Sequence, residues 1–542
     1  MDLQSAIEFT DADKMLLKKR LQDPLWRIRN IYRIVDKWGK AIPFRPTLEQ
    51  NEILEDYYVK GRKRHVILKA RRMGFSTLID ILLFDAGYWG ENQQASIVDL
   101  TQGDASEKLR SKVKFAWENL PDFLREELVK SNDNLMEFAN GSTIHAGKNA
   151  RGGTNQRLHI SEWGPIAHSD PKRSEEIKTG ALPSADQGAV FIESTFKGGK
   201  GGHFYELLKH AMETPEHLKT EKDFWFHFFP WYRDPSNTLA GDVSAVSKEV
   251  NAYLDDKERQ LAGTQYAVKF TDGQRLFYQV TKKEQGIFMF REYPTTVAEA
   301  FMAPVEGAIY GDIVSAIRAR GQITDFIWDR SAPVFAVLDI GWDDSTAVWL
   351  LQVIGRDVHV IFYLVERHKT AAQMVKQISD TGIPISGYFL PWDSRATAAA
   401  TGVTYKGEFE KAGAVNVDVL PPTREIWAGI NATRDIMQRC YFHKTNCAKG
   451  LEALEAYHTK DSSSGGLVSK DPVHDWSSHG ADAFRYACEA IVMGKLKTKA
   501  AHRLGVGLVP NPIDGYAVDI DFIRETRQKR HGHGSARSDF KL

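Results

Sequence analysis

One segment restricts the possible fold more than any other: HVILKARRMGFSTLIDILLF, residues 65–84. An apolar run of strand length passes into a short loop holding Gly74, Ser76 and Thr77, and then into an apolar helix. Such a strand–loop–helix aims loop and helix N–H groups at one point, where backbone donors and helix dipole both favour a phosphate. The usual pattern GxxxxGK[ST] is not met. Phe75 stands where its lysine belongs, and Lys69 takes the place of the first glycine. Lys69, at the strand end, can reach β/γ-phosphates from the other side of the loop. Ser76 would supply a hydroxyl for Mg²⁺, and Arg71 or Arg72 would add charge. Taken alone, a basic strand–turn–helix with no ligand fits the segment equally well.

Downstream segments shift that balance. RLHISEW, residues 157–163, is an apolar strand ending in a carboxylate, and Glu162 is placed to polarise an attacking water. Phosphoryl transfer needs positioning and charge stabilisation more than covalent help, so one carboxylate, one Mg²⁺ and nearby cations suffice. Ser161 occupies a position where an aspartate often helps hold the metal, which makes metal binding there indirect. Arg151 lies beside a Gly-Gly pair in NARGGTNQ, where a solvated loop arginine is the plain alternative.

The chain has 542 residues, too many for one ordinary core, so two to four domains are expected. Residues 1–44 read as a helical lead-in, with Leu25, Ile28, Tyr32 and Val35 at helical spacing. From 45 to about 300, strands (RHVILKA, ASIVDL, RLHISEW, AVFIEST) alternate with helices over Thr77 to Tyr88 and Ala105 to Asn119, which predicts a parallel sheet covered on both faces. A hairpin is expected around Asn140-Gly141. The aromatic, charged stretch 216–330 reads as irregular, with a linker at 301–330. A second block, 331–495, opens with three strands compatible with an antiparallel meander, then a helix from Ala371 to Ser379 and a strand in GYFLPWD. DSSSGGL, residues 461–467, reads as a flexible loop, and the basic tail 496–542 as disordered.

Basic and acidic residues both total 71, so a protein that merely coats nucleic acid is disfavoured and any DNA contact must be local. Three scattered cysteines argue against a disulfide framework and against structural zinc. The N-terminus lacks the apolar core of a signal peptide, and no run approaches the roughly 20 residues that span a bilayer. A soluble protein of a reducing compartment, without a membrane partner, is expected.

The second block carries three spaced acids. Asp339 closes the strand of FAVLDIGWDD, Asp393 closes YFLPWD, and Asp482 lies in the helix of SHGADAFRYACEA. Two acids at strand ends and one on a packed helix can converge, and converging carboxylates bind two Mg²⁺ or Mn²⁺ ions for phosphodiester cleavage. Singly, each aspartate is more often a cap or an ion-pair partner. Asp343 is the first choice for a further ligand, ahead of Asp344, Asp475 and His479; His479 reads as a packing or capping residue.

Together, the lysine-first ARRMGFS loop, ARGGT, LHISEW, IESTFKGG…HFYELL and the closing SHxADAxRY helix resemble the large terminase subunits of tailed bacteriophages. FPW (229–231) and EYPTTVAEAF (292–301) add to the likeness, which covers residues 45–490. It implies an α/β chain: an N-terminal P-loop (ASCE/RecA-like) ATPase followed by a C-terminal ribonuclease H-like nuclease. It further implies that Gln50 contacts the nucleotide base and that Ser194-Thr195 couple hydrolysis to movement. Arg151 is offered to a neighbouring subunit, and Lys69, Arg71, Arg72, Gly74, Ser76 and Thr77 hold ATP with Mg²⁺. Asp339, Asp393, Asp482 and Asp343 hold the nuclease metals. The expected function is ATP-driven movement of double-stranded viral DNA into a procapsid, with endonucleolytic cutting of concatemers. Expected partners are the portal protein, a small subunit and further copies of the chain in a fivefold ring. The expected setting is host cytoplasm with transient residence on the portal, outside the mature virion. Two other classes compete. An ATPase–nuclease of DNA repair or transposition would share both sites and lack capsid-dependent activity. A capsid-vertex or scaffold protein would carry degenerate motifs, for which Phe75 and Ser161 are the best support.

Overall fold

The computed structural model describes residues 10–150, 153–302, 305–341, 345–395, 404–423, 425–460 and 471–496, with the backbone of two short paired strands, Leu508–Pro510 and Ala517–Asp519. Arg151, Asp343, Asp344, the 461–467 loop and most of the tail lie outside the described residues. The chain divides into two compact units, Met1–Glu306 and Gly307–Leu542. No helix among the described residues is long and apolar enough to cross a membrane. All three cysteines are free and buried.

The first unit opens with a correction to the helical lead-in. The helix Pro24–Asn30 stops, and β1 (Arg33–Val35) pairs antiparallel with β2 (Ala41–Pro43). The reason is turn chemistry: the Asp36 carboxylate accepts the Trp38 and Lys40 N–H groups, each at 2.8 Å, and closes a hairpin. Val35 therefore sits on an exposed strand, while Ile28, Tyr32 and Phe44 join the core of the unit.

The main sheet contains β3 (Arg64–Lys69), β4 (Gln94–Val98), β5 (Leu128–Ser131), β6 (Leu135–Phe138), β7 (Thr143–Gly147), β8 (Arg157–Ser161), β9 (Ala189–Ser194) and β10 (Trp225–Phe229). Their order is β10-β3-β9-β8-β4-β7-β6-β5. The first six run parallel, and β6 and β5 add an antiparallel edge through the hairpin at Asn140-Gly141. Every residue of β3 and β9 is buried, and alternate residues serve different cores: Ile67 and Phe191 one, Val66, Leu68, Val190 and Ile192 the other. Burial on both faces is why these strands read as unbroken apolar runs. The interposition of β9 between β3 and β8 is the strand order of the additional-strand P-loop class.

Residues 216–306 are more regular than the sequence suggested. WFHFF forms the edge strand β10, and the helices Lys248–Leu261 and Asp272–Gln285 pack over Trp231, whose ring lies 5.6 Å from Phe270 and from Phe277.

The second unit is built on β11 (Ile323–Thr324), β12 (Val334–Asp339), β13 (Ser345–Ile354), β14 (Asp357–Arg367), β15 (Ile385–Leu390), β16 (Val417–Val419) and β17 (Cys440–His443), in the order β11-β17-β14-β13-β12-β15-β16. β12, β13 and β14 form the expected antiparallel meander, and β15 and β16 continue parallel to β12. This central five-strand arrangement is ribonuclease H-like. The expected linker 301–330 is not one beyond Glu306. Ile309, Tyr310, Val314 and Ile317 are buried in this core, and β11 pairs with β17, because the helix Gly311–Ala319 has an apolar face to cover.

The helix Trp476–Val492 packs across β12 and β13, and Gly480, which lacks a side chain, lets it approach β14 and the helix Ala448–Ala456. A Cβ there would lie 2.8 Å from the Tyr363 hydroxyl and 3.1 Å from Ala453, and the Gly480 carbonyl accepts the Trp349 indole N–H at 2.8 Å. That contact brings the acid-bearing turn of the helix over the end of β12.

Candidate functional site

The loop after β3 turns into the helix Phe75–Trp89 through two left-handed residues, Arg72 at φ 64° and Gly74 at φ 73°. At Gly74 a side chain would be strained and would also meet the Gln50 amide at 2.8 Å. Gln50 itself is buried, and its amide donates to the Gly74 carbonyl at 3.0 Å and the Met73 carbonyl at 3.4 Å. Its oxygen accepts the Thr47 N–H at 3.1 Å. Both ends of the group expected to touch a base are thus engaged within the protein, and Gln50 tethers the loop.

Beneath the loop lies a buried cluster of charge. Lys69 Nζ is 3.1 Å from Glu193 Oε2 and 3.8 Å from Glu162 Oε1. The hydroxyls of Ser76 and Ser161 both donate to Glu193 Oε1, each at 2.7 Å. His159 Nε2 stands 3.5 Å from the same oxygen, and its Nδ1 is 2.7 Å from Asp80. Lys108 reaches Asp99 and Ser161 from the neighbouring helix. Burial works against the Glu193 carboxylate, but Lys69, His159 and Lys108 hold its pKa well below the ordinary range. Burial likewise opposes the Lys69 ammonium, and Glu193 and Glu162 more than compensate.

Glu162 follows β8 directly and is itself left-handed, at φ 57°, an uncommon state for a residue with a side chain. The turn carries its carboxylate out of the strand, toward Lys69 and to 3.5 Å from the Ser194 hydroxyl. Burial raises its pKa, and so does Glu193, while Lys69 opposes them. Ser194 also accepts the Gly164 N–H at 3.0 Å and donates to the Thr195 carbonyl at 2.6 Å, so the end of β9 is tied to the turn that holds Glu162. Among the expected cations, Arg71 is half-committed: its N–H and guanidinium both bond Glu292. Arg72 is exposed, and Thr77 sits partly exposed in the first helical turn.

In the second unit, Asp339 ends β12 as expected, and His479 Nδ1 lies 3.4 Å from its Oδ2. Asp482, one helical turn from His479, is bound by Arg485 at 3.0 Å. Burial raises the Asp482 pKa against the pull of Arg485, and the Asp339 charge raises it further. A bound divalent cation would relieve that repulsion, but among the described residues Asp339, His479 and Asp482 do not lie within metal-ligand spacing of one another. Asp393 does not close its strand. β15 ends at Leu390, Pro391 follows, and Asp393 lies exposed in the short turn Trp392–Arg395. The β12–β15 register, with Val337 opposite Phe389, sets it at the same end of the sheet as Asp339. No hydrogen bond or ion pair joins it to Asp339 or Asp482 among the described residues. Asp475 caps the helix instead of facing the acids, accepting the Ser477 N–H at 2.9 Å. His479 faces Asp339, so the capping role expected for His479 belongs to Asp475.

No protein-family model matches the chain, and no curated protein does. Among solved structures, the large terminase of bacteriophage HK97 is 14% identical, over 87% of this chain and 99% of that one, with a TM-score of 0.45. The ATPase domain of the Thermus phage P74-26 large terminase is 16% identical, over 46% and 94%, with a TM-score of 0.31. The nuclease domain of the P22 large terminase is 20% identical, over 32% and 89%, with a TM-score of 0.26. Likenesses of this strength decide neither fold nor function. The residues and their geometry carry both.

Sequence reasoning missed Glu193, Asp80, Asp99, Lys108 and His159. Asp80, Asp99 and His159 are titratable residues inside or just beyond strongly apolar elements, which was a visible signal; Lys108, in the polar helix QGDASEK, and Glu193, whose partners only cross-strand register reveals, gave none. A separate cluster of Asp56, His65 and His227 has metal-ligand spacing, but Lys60 and Arg62 already hold the two Asp56 oxygens at 2.7 and 2.8 Å.

Proposed function

We propose that the chain is a large terminase subunit: an ATPase that drives double-stranded DNA into a viral procapsid, with a divalent-metal endonuclease that cuts concatemers. The observation that carries the reading is the buried Lys69 ammonium at the mouth of a phosphate-type loop, within reach of both Glu162 and Glu193. In the same chain, a ribonuclease H-like sheet ends in Asp339 beneath Asp482 and His479.

In this reading the loop N–H groups and Lys69 bind the nucleotide phosphates. Glu162 accepts a hydrogen bond from the attacking water and takes its proton as the terminal phosphate leaves ADP. Its raised pKa suits a group that must gain a proton during turnover. Ser194, bonded to the Gly164 turn and near Glu162, transmits the change of charge to β9. Ser76 holds the nucleotide's Mg²⁺, which neutralises phosphate charge when bound. In the second unit Asp339, Asp393 and Asp482 would hold Mg²⁺ or Mn²⁺, which would supply an activated water and charge stabilisation for cleavage of a phosphodiester. Arg485 keeps the Asp482 carboxylate oriented.

The partners we assign are double-stranded DNA, a portal protein, a small terminase subunit and further copies of this chain in a ring of about five. Arg151 is the residue we assign to the neighbouring subunit's nucleotide. An inactive Arg151→Ala chain mixed with an inactive Glu162→Gln chain should then regain part of the ATPase activity. No recovery despite co-assembly would confine Arg151 to its own subunit. The setting is the host cytoplasm, with transient residence on the portal and absence from the mature virion. The reading is tested by DNA packaging with the purified chain, ATP and procapsids of the same virus. ATP-dependent protection of DNA from nuclease is expected; its absence with active procapsids would refute the motor.

A further inference from the structure

Ser161 poses a chemical problem. It stands at the end of β8, where a carboxylate is needed to help hold the nucleotide's metal, and a neutral hydroxyl cannot supply that charge. The neighbouring strand does. In the register of β8 with β9, Ser161 lies opposite Glu193, so both side chains leave the sheet on the same face. Glu193 is fully buried, yet it accepts the hydroxyl of Ser76 at 2.7 Å, and Ser76 is the residue on the first helical turn that faces the phosphate position. It accepts the hydroxyl of Ser161 at the same distance. Its other oxygen, Oε2, faces the Lys69 ammonium at 3.1 Å and receives no well-angled hydrogen bond among the described residues. A buried carboxylate that bonds the hydroxyl of Ser76 through one oxygen, with its other oxygen held only by an ion pair, can serve as an oxygen site for a hard cation.

We propose that Glu193, from the adjacent strand, supplies the carboxylate that holds Mg²⁺ with Ser76 in place of the acid missing at Ser161. The assignment rests on the nucleotide-site reading above. It turns the departure at Ser161 from a defect into a relocation: the charge has moved one strand across the sheet, and Ser161 keeps the new carboxylate in place. The competing role is purely structural, a counter-ion for Lys69 and His159. That role requires a negative charge at Glu193 but no linkage to the metal.

The test is the affinity of the full chain for ADP, measured by calorimetry in Mg²⁺ and in EDTA. In the wild type Mg²⁺ should tighten ADP binding by at least the ~10-fold that even outer-shell metal partners contribute. Glu193→Gln should bind ADP in EDTA at least as tightly as the wild type, because it removes a negative charge beside Lys69 and the phosphate position, and should lose most of the Mg²⁺ effect. Adding Ser161→Asp to that variant should restore it, by returning a carboxylate to the end of β8. Should Glu193→Gln fail to fold, Glu193→Asp keeps the buried charge while withdrawing it from Ser76, and the same loss of Mg²⁺ linkage is expected. An undiminished Mg²⁺ effect in a folded Glu193 variant would overturn the assignment and leave the nucleotide site standing. A wild-type chain that binds no ADP in either condition would overturn the nucleotide site and, with it, this assignment.

Discussion

The Lys69 ammonium lies 3.1 Å from the Glu193 carboxylate, two residues inside the sheet from different strands, each buried and each the other's principal charge. Removing one partner of such a pair strands the other. Lys69→Ala should therefore destabilise the first unit by about 3 kcal/mol, as buried ion pairs do when broken. It should also abolish ADP binding. Thermal unfolding and calorimetry check the two effects; a variant as stable as the wild type would deny the pair its role.

Glu162→Gln should leave ATP binding intact and lower turnover by about 10²–10⁴-fold, the range for loss of a general base. The wild-type pH profile carries the same information. Burial and Glu193 raise the Glu162 pKa, so activity should fall with acidification at a pH above the ordinary glutamate range. An acid limb at or below 4.5 would mean that another group titrates.

Asp393→Ala, and separately Asp482→Asn, should abolish Mn²⁺-dependent nicking of plasmid DNA and spare ATP hydrolysis. For Asp393 the prediction is the sharper one, because it lies exposed and apart from the other two acids. Undiminished nicking by Asp393→Ala would leave Asp339, Asp482 and His479 as the metal site.

His159 gives the first unit a pH-dependent stability. Burial opposes the imidazolium, but Asp80 and Glu193 together outweigh it and raise its pKa above 6.5. A raised folded value means stabilisation that is complete below the unfolded pKa and lost as pH rises through the folded one. Melting temperature should accordingly fall as pH rises above 6.5 in the wild type and less in His159→Gln. Equal slopes would contradict the charged His159.

Gly480→Ala should cost about 1–3 kcal/mol, because a methyl group there forces Tyr363 and Ala453 apart. Denaturant unfolding measures it.

The strands and the strand-end acids were legible because burial on both faces leaves long apolar runs, and a carboxylate at the end of one stands out. Glu162 and Asp339 could be picked out on that ground, Lys69 as a cation ending such a run, and Asp482 from the helix sequence around it. Glu193 could not: it lies within its apolar run, one residue before the Ser-Thr pair, and only cross-strand register brings it to Ser76. The β1–β2 hairpin was hidden because Asp36 makes its turn with a side chain while the flanking residues keep helical spacing. His479 is buried, as its packing reading expected, while Asp475, four residues earlier, takes the cap and leaves the imidazole beside Asp339.

The most direct measurement of the central claim is ATP turnover by the full-length chain, alone and with double-stranded DNA and procapsids of the same virus. Turnover should rise when DNA and procapsids are both present and should vanish in Glu162→Gln. Turnover that ignores procapsids, or that survives in Glu162→Gln, would contradict a packaging motor driven from this site.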